Sequence, residues 1–181
     1  MTTRLILALP LFVAFFLTAT AARAQSPLAF DTWTVTPFIG IALDPDADPS
    51  LTLAGAVGFP LTEALAIEGE LGHVFDMAPD DSDVDSSLTT VHASLLAFFE
   101  TDFVLTPYVA GGIGIGKFSH EVTTPPADIE GTEIGFNLGA GVTYQVDDPV
   151  WVRGDFRYFK HIDNVPSSWR FAVGVTFRLG N

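Results

Sequence analysis

The chain has 181 residues and a formal net charge of −14 at pH 7, which argues against nucleic-acid binding, because a phosphate backbone calls for a basic footprint. It contains no cysteine, so a disulfide framework, a thiol nucleophile and a thiolate metal site are all excluded.

Residues 1–24 read as a secretory signal. Arg4 is followed by an apolar run from Leu5 to about Leu17, and Ala22-Arg23-Ala24 supplies the small-x-small pattern of a cleavage site near Ala24. The apolar run is shorter than the ~20 residues of a helical span, and Pro10 interrupts it. Residues 25–181 then form one domain. Past the leader no apolar run reaches helical span length, yet mean hydropathy is positive and there are 16 phenylalanines.

The apolar residues are arranged with a period of two. Eight alternating segments follow in chain order: Trp33–Leu43, Leu51–Phe59, Leu65–Phe75, Leu88–Phe99, Val104–Phe118, Thr132–Val146, Val150–Lys160 and Ser168–Leu179. Each reaches at least the ~9–11 residues of a tilted membrane strand. PLTE (Pro60–Glu63), ETD (Glu100–Asp102) and DDP (Asp147–Pro149) read as tight turns. They alternate with longer polar connections at Asp44–Ser50, Asp76–Ser87, Ser119–Gly131 and His161–Ser167. Short turns at one end and long loops at the other predict an eight-stranded antiparallel up-and-down transmembrane β-barrel, all-β, with both chain ends on the periplasmic side.

Parity assigns the faces. Leu65, Ile67, Leu71 and Phe75 share one face of the third segment, and Glu68 and Glu70 the other. Val152, Phe156 and Tyr158 oppose Arg153, Asp155 and Arg157, while Phe171, Val173, Val175 and Phe177 oppose Arg170 and Arg178. The polar face is rich in glycine (Gly112, Gly114, Gly116, Gly135, Gly139, Gly141, Gly174). That suits a crowded eight-strand lumen better than a solvated exterior. The large residues therefore face lipid. Trp33, Phe59, Phe99, Tyr144 and Phe177 form one expected aromatic girdle, and Phe75, Phe118, Tyr158 and Trp169 the other. Trp151 is an exception: it shares parity with Arg153 and is expected to point into the lower lumen or to lie just below the lipid. Glu68, Glu70, Glu133, Arg153, Asp155, Arg157 and Arg170 are expected to form a cross-lumen ion-pair network, joined by His92 and Asn137.

TPYVAGGIGIG (Thr106–Gly116), FNLGAGVTYQV (Phe136–Val146), DFRYFK (Asp155–Lys160) and WRFAVGVTFRL (Trp169–Leu179) resemble the small outer-membrane barrels of the OmpA transmembrane-domain, OmpX and opacity-protein type. The resemblance spans nearly all of residues 25–181. It implies insertion by the barrel-assembly machinery and roles from envelope integrity to adhesion and surface antigenicity. It also implies outer-membrane lipid and lipopolysaccharide as surroundings, with a host or cell-surface ligand among the partners. Members commonly end on an aromatic residue, whereas here LGN follows Phe177. The peptidoglycan-binding domain of OmpA has no counterpart after the last segment.

Other chemistries fit less well. GGIGIGKF (Gly111–Phe118) begins like a phosphate-binding loop, but Phe118 stands where magnesium needs Ser or Thr. Asp44, Asp46 and Asp48 alternate, as do Asp81, Asp83 and Asp85. An EF-hand counted from Asp81 would need Gly and Glu where Ser86 and His92 stand. Solvated loops are the simpler reading, with weak divalent-cation binding at Asp81, Asp83 and Asp85 as the alternative. His161, Asp163 and Ser167 or Ser168 share one predicted loop and could act as a triad. RYFKHIDN also resembles the His-x-Ser region of lipid A deacylase barrels, with Asp163 in place of the serine. A lipid A acyl hydrolase using His161 and a narrow pore past Gly112 and Gly139 are the alternatives to a non-catalytic, cofactor-free, monomeric surface protein.

Overall fold

The computed structural model describes residues 32–44, 49–75, 84–123, 126–162 and 167–179. The leader, Asp46, Asp48, Asp81, Asp83 and Asp163 lie outside these. Within them run β1 (Thr34–Leu43), β2 (Ser50–Pro60), β3 (Leu65–Val74), β4 (Val84–Phe98), β5 (Leu105–Thr123), β6 (Pro126–Asp147), β7 (Val150–His161) and β8 (Ser168–Arg178). Every strand pairs antiparallel with its chain neighbours, and β1 pairs with β8 to close the barrel. Closure leaves no sheet edge along the ring and satisfies the backbone internally, as hydrocarbon requires.

Alternation turns one residue in two outward. Along β8, Trp169, Phe171, Val173, Val175 and Phe177 are exposed, while Ser168, Arg170, Ala172 and Thr176 are buried. The outward set continues around the ring through Ile39, Leu53, Leu71, Ile113 and Ile134, the last two 71% and 63% exposed. An apolar exterior this extensive is a lipid-facing surface. Aromatic pairs support it from both ends. Trp33 meets Phe59 at a centroid distance of 5.0 Å, and Trp169 stacks on Phe156 at 4.9 Å and tilts against Tyr158 at 4.8 Å.

The ring closes between β1 and β8 over a tight contact. Gly174 faces Phe38 across this seam, and a Cβ there would lie 2.6 Å from Phe38 Cδ1 and 2.8 Å from the Pro37 carbonyl oxygen. Phe38 in turn is 4% exposed and packs with Ala56 and Ala172. Gly174→Val is expected to destabilise the folded barrel by about 1–3 kcal/mol through overpacking, read as a lower urea midpoint in detergent.

Three local expectations change. The segment Ser119–Gly131 is not a loop: β5 and β6 are 19 and 22 residues long, and their ladder runs on to Thr123↔Pro126. β4 joins them from Val84, opposite Val122. Hydrogen-bond pairing continues past the lipid-facing band, so the turn-forming residues of this segment are carried on a protruding ribbon. Phe118 has the parity of Gly116, opposite Leu88, and points inward rather than into the girdle. The turn between β4 and β5 covers residues 99–104 and presents Phe103 and Val104, 81% and 79% exposed.

Candidate functional site

The barrel's interior is filled in layers. Nearest the tight-turn end, Ala66, Leu96, Phe98, Tyr108, Ala110 and Trp151 form a buried apolar plug. Trp151 is inward, as its parity predicts. Leu96 and Phe98 were not legible as lumen residues, because Leu95–Phe99 is apolar throughout and carries no alternation.

Above the plug lies the charged layer. Glu68, Glu70, Arg153, Asp155, Arg157 and Arg170 are all 4% exposed or less. Arg153 and Glu68 form a two-pronged pair, and Arg157 donates from Nη2 to Glu68 Oε1 at 2.7 Å. Arg157 Nε also donates to Asp155 Oδ2 at 3.0 Å, and its Nη1 lies 3.7 Å from Glu70. Arg170 grips both oxygens of Glu70 at 2.6 and 2.8 Å and reaches Asp155 Oδ1 at 3.2 Å. Three cations thus meet three carboxylates, the composition in which buried charge is best tolerated.

Aromatic rings wall this layer. Tyr108 donates its hydroxyl proton to Asp155 Oδ2 at 2.5 Å and accepts from Arg153 Nε at 2.8 Å. The Arg153 guanidinium lies 4.6 Å from the Tyr108 ring centre and 5.1 Å from that of Phe38. Arg170 lies 5.0 Å from that of Phe159. Glycines on β6 make the room: a Cβ at Gly139 would lie 2.6 Å from Arg157 Cγ, and one at Gly141 would overlap the Tyr108 ring.

Not every expected member takes part. Asn137 pairs with Ser94, donating from Nδ2 to Ser94 Oγ at 3.1 Å. Among the described residues, His92 has no hydrogen-bond partner at either ring nitrogen. Glu133, half-buried, lies well outward along β6 from Gly139, the register partner of Arg157. Tyr108, Phe38 and Phe159 complete the cluster instead. The sequence signal for them was parity: each shares a face with small or polar residues, an arrangement that the lipid side would not favour.

His161 also moves from its expected place. It is the last residue of β7, 1% exposed, with its side chain in the lumen rather than in a loop. It lines a small cavity at the long-loop end with Thr90, Phe159, Ser168 and Arg170. A second small cavity lies at the other end, bordered by Phe98, Glu68 and Arg153. The charged layer lies between the two, meeting one at Arg170 and the other at Glu68 and Arg153. Among the described residues, no group of three or more His, Asp or Glu side chains is placed to hold a metal ion.

Solved structures share this architecture. Neisserial surface protein A superposes with a TM-score of 0.65 at 18% identity, covering 81% of this chain and 96% of that one. A major outer membrane protein from Thermus thermophilus gives 0.66 at 12%, covering 81% and 98%. Ail, the attachment invasion locus protein of Yersinia pestis, gives 0.54 at 11%, covering 81% and 97%. At these identities the likeness is one of fold. Among curated proteins, none matches the chain. The family model of the outer membrane protein beta-barrel domain matches residues 10–178. With its closed ring of eight strands, apolar outside and charged within, the chain belongs to the outer membrane protein β-barrel domain family.

Proposed function

We infer that this protein resides in the bacterial outer membrane as a monomer and presents its long-loop end outward as an interaction surface, without catalysis and without passage through the lumen. The filled lumen carries this reading: a buried, charge-balanced layer over an apolar plug leaves the outer end as the place for partners. Removal of residues 1–24 near Ala24 and insertion by the barrel-assembly machinery belong to the same reading.

His161 faces the lumen, away from acyl chains, which speaks against lipid A hydrolysis at that residue. Lys117 and Lys160 are exposed on the outward faces of β5 and β7, where they can snorkel toward lipopolysaccharide phosphates. The protruding ribbon and the outer strand ends are rich in acids, among them Asp44, Asp85, Glu121, Asp128 and Glu130. Ail has been crystallised with the heparin analogue sucrose octasulfate. Like-charge repulsion makes such a polyanion a poor partner for this chain, and a neutral or cationic surface a good one.

The test combines two readouts on one protein. In planar bilayers the purified barrel is expected to show no steady conductance. A strain lacking it is expected to lose adhesion or detergent resistance while its lipid A acyl pattern stays unchanged. Steady conductance that bulky residues at Gly112 or Gly139 abolish would establish the pore instead, and lost acyl chains on overexpression would establish the hydrolase.

A further inference from the structure

His92 on β4 and His161 on β7 meet above the charged layer, brought together only by closure of the ring. They are 2% and 1% exposed, and their ring centres are 6.3 Å apart with planes at 62°. Among the described residues, none of the four ring nitrogens has a hydrogen-bond partner. Buried polar atoms seldom go unsatisfied, and here four of them are gathered in one place. His73 shows the ordinary arrangement, its Nδ1 sharing a hydrogen with Thr89 Oγ1 at 2.9 Å.

The surroundings keep the pair clear. A Cβ at Gly116 would lie 2.8 Å from His161 Nε2, and one at Gly135 would lie 2.7 Å from His161 Cδ2. A Cβ at Gly114 would overlap the His92 ring. Phe159 packs against His92 at 5.1 Å, and the outer cavity opens beside His161. The layer below is charge-balanced, with the terminal nitrogens of Arg170 committed to Glu70 and Asp155. Neutral imidazoles offer lone pairs, not positive charge.

We propose that His92 and His161 together bind a divalent transition-metal ion of the zinc, nickel and copper group, with water completing its shell. Imidazole suits these ions. At a metal–nitrogen distance of about 2.0–2.1 Å, two imidazoles on one ion have centres about 5 Å apart at a tetrahedral angle and about 6.4 Å apart when trans, so a nearly trans pair on a square-planar or octahedral ion is the arrangement that fits. The observed separation of 6.3 Å is close to the trans value.

Cu²⁺ is the probe, added to the tag-free, folded, full-length protein in detergent at neutral pH. The expected result is one ion per chain, with an electron paramagnetic resonance spectrum showing two coupled imidazole nitrogens. His92→Gln and His161→Gln should each weaken binding by at least about tenfold, because even outer-shell partners of metal ligands are worth 10–100-fold. His73→Gln and His120→Gln should leave it unchanged. Gel mobility without boiling reports folding of each variant, and the wild-type spectrum decides the matter should a variant fail to fold. No binding, a spectrum with fewer than two nitrogens, or binding that survives both lumen substitutions (an ion on the acidic loops) overturns the proposal.

Discussion

Arg157→Met is expected to destabilise the folded barrel by about 3–5 kcal/mol, the range for removing one partner of a buried pair. Arg157 is fully buried and touches all three carboxylates of the layer: Glu68 at 2.7 Å, Asp155 at 3.0 Å and Glu70 at 3.7 Å. Methionine replaces the stem but leaves the carboxylates one positive charge short in a buried site. The cost comes from those stranded anions more than from the lost attraction. Adding Glu68→Gln to Arg157→Met restores the balance of charge and should recover part of the loss. Urea titration in detergent, followed by the mobility of the unboiled protein, measures both. Equal midpoints for wild type and Arg157→Met would mean that the layer contributes no stability.

Val173→Arg is expected to cost about 2–4 kcal/mol, the range for a cation on the lipid face at the bilayer midplane. Val173 is 57% exposed and sits midway along β8 between Trp169 and Phe177. Its neighbour Ala172 is 4% exposed on the opposite face. Ala172→Ser adds only a hydroxyl on the lumen side, against Phe38 and Ala56, and should cost much less than Val173→Arg. Folding yield and urea midpoint in lipid vesicles separate the two. A small cost for Val173→Arg together with a large one for Ala172→Ser would reverse the faces.

Much of this architecture is legible in the sequence because a strand with one face in hydrocarbon leaves little freedom. β8 alternates without a break, and its parity alone sends Arg170 inward. Trp151, a large residue on the polar face, follows the same rule into the lumen, and so does Phe38, which the sequence leaves as a misfit among small and polar neighbours. The rule fails where alternation fails. Leu95–Phe99 has no polar punctuation, so Leu96 and Phe98 gave no sign of filling the lumen. It fails also where composition and pairing disagree: Ser119–Gly131 is rich in turn formers, yet β5 and β6 continue through it because their ladder carries on beyond the lipid. Partner choice inside the ring was least visible. Which carboxylate each arginine meets, and the meeting of His92 with His161, depends on strand stagger around the closed ring, and no single strand encodes that.

The claim beneath all of this is that bulky apolar side chains contact lipid while the charged set faces the interior. The chain has no cysteine, so each introduced one is unique. Single cysteines placed in turn from Trp169 to Leu179, labelled with a fluorophore and reconstituted in vesicles bearing a lipid-attached quencher, test it directly. Quenching is predicted at positions 169, 171, 173, 175 and 177 and not at 170, 172, 174 and 176. Strong quenching at 170, 172 and 174 with protection at 171, 173 and 175 would contradict it.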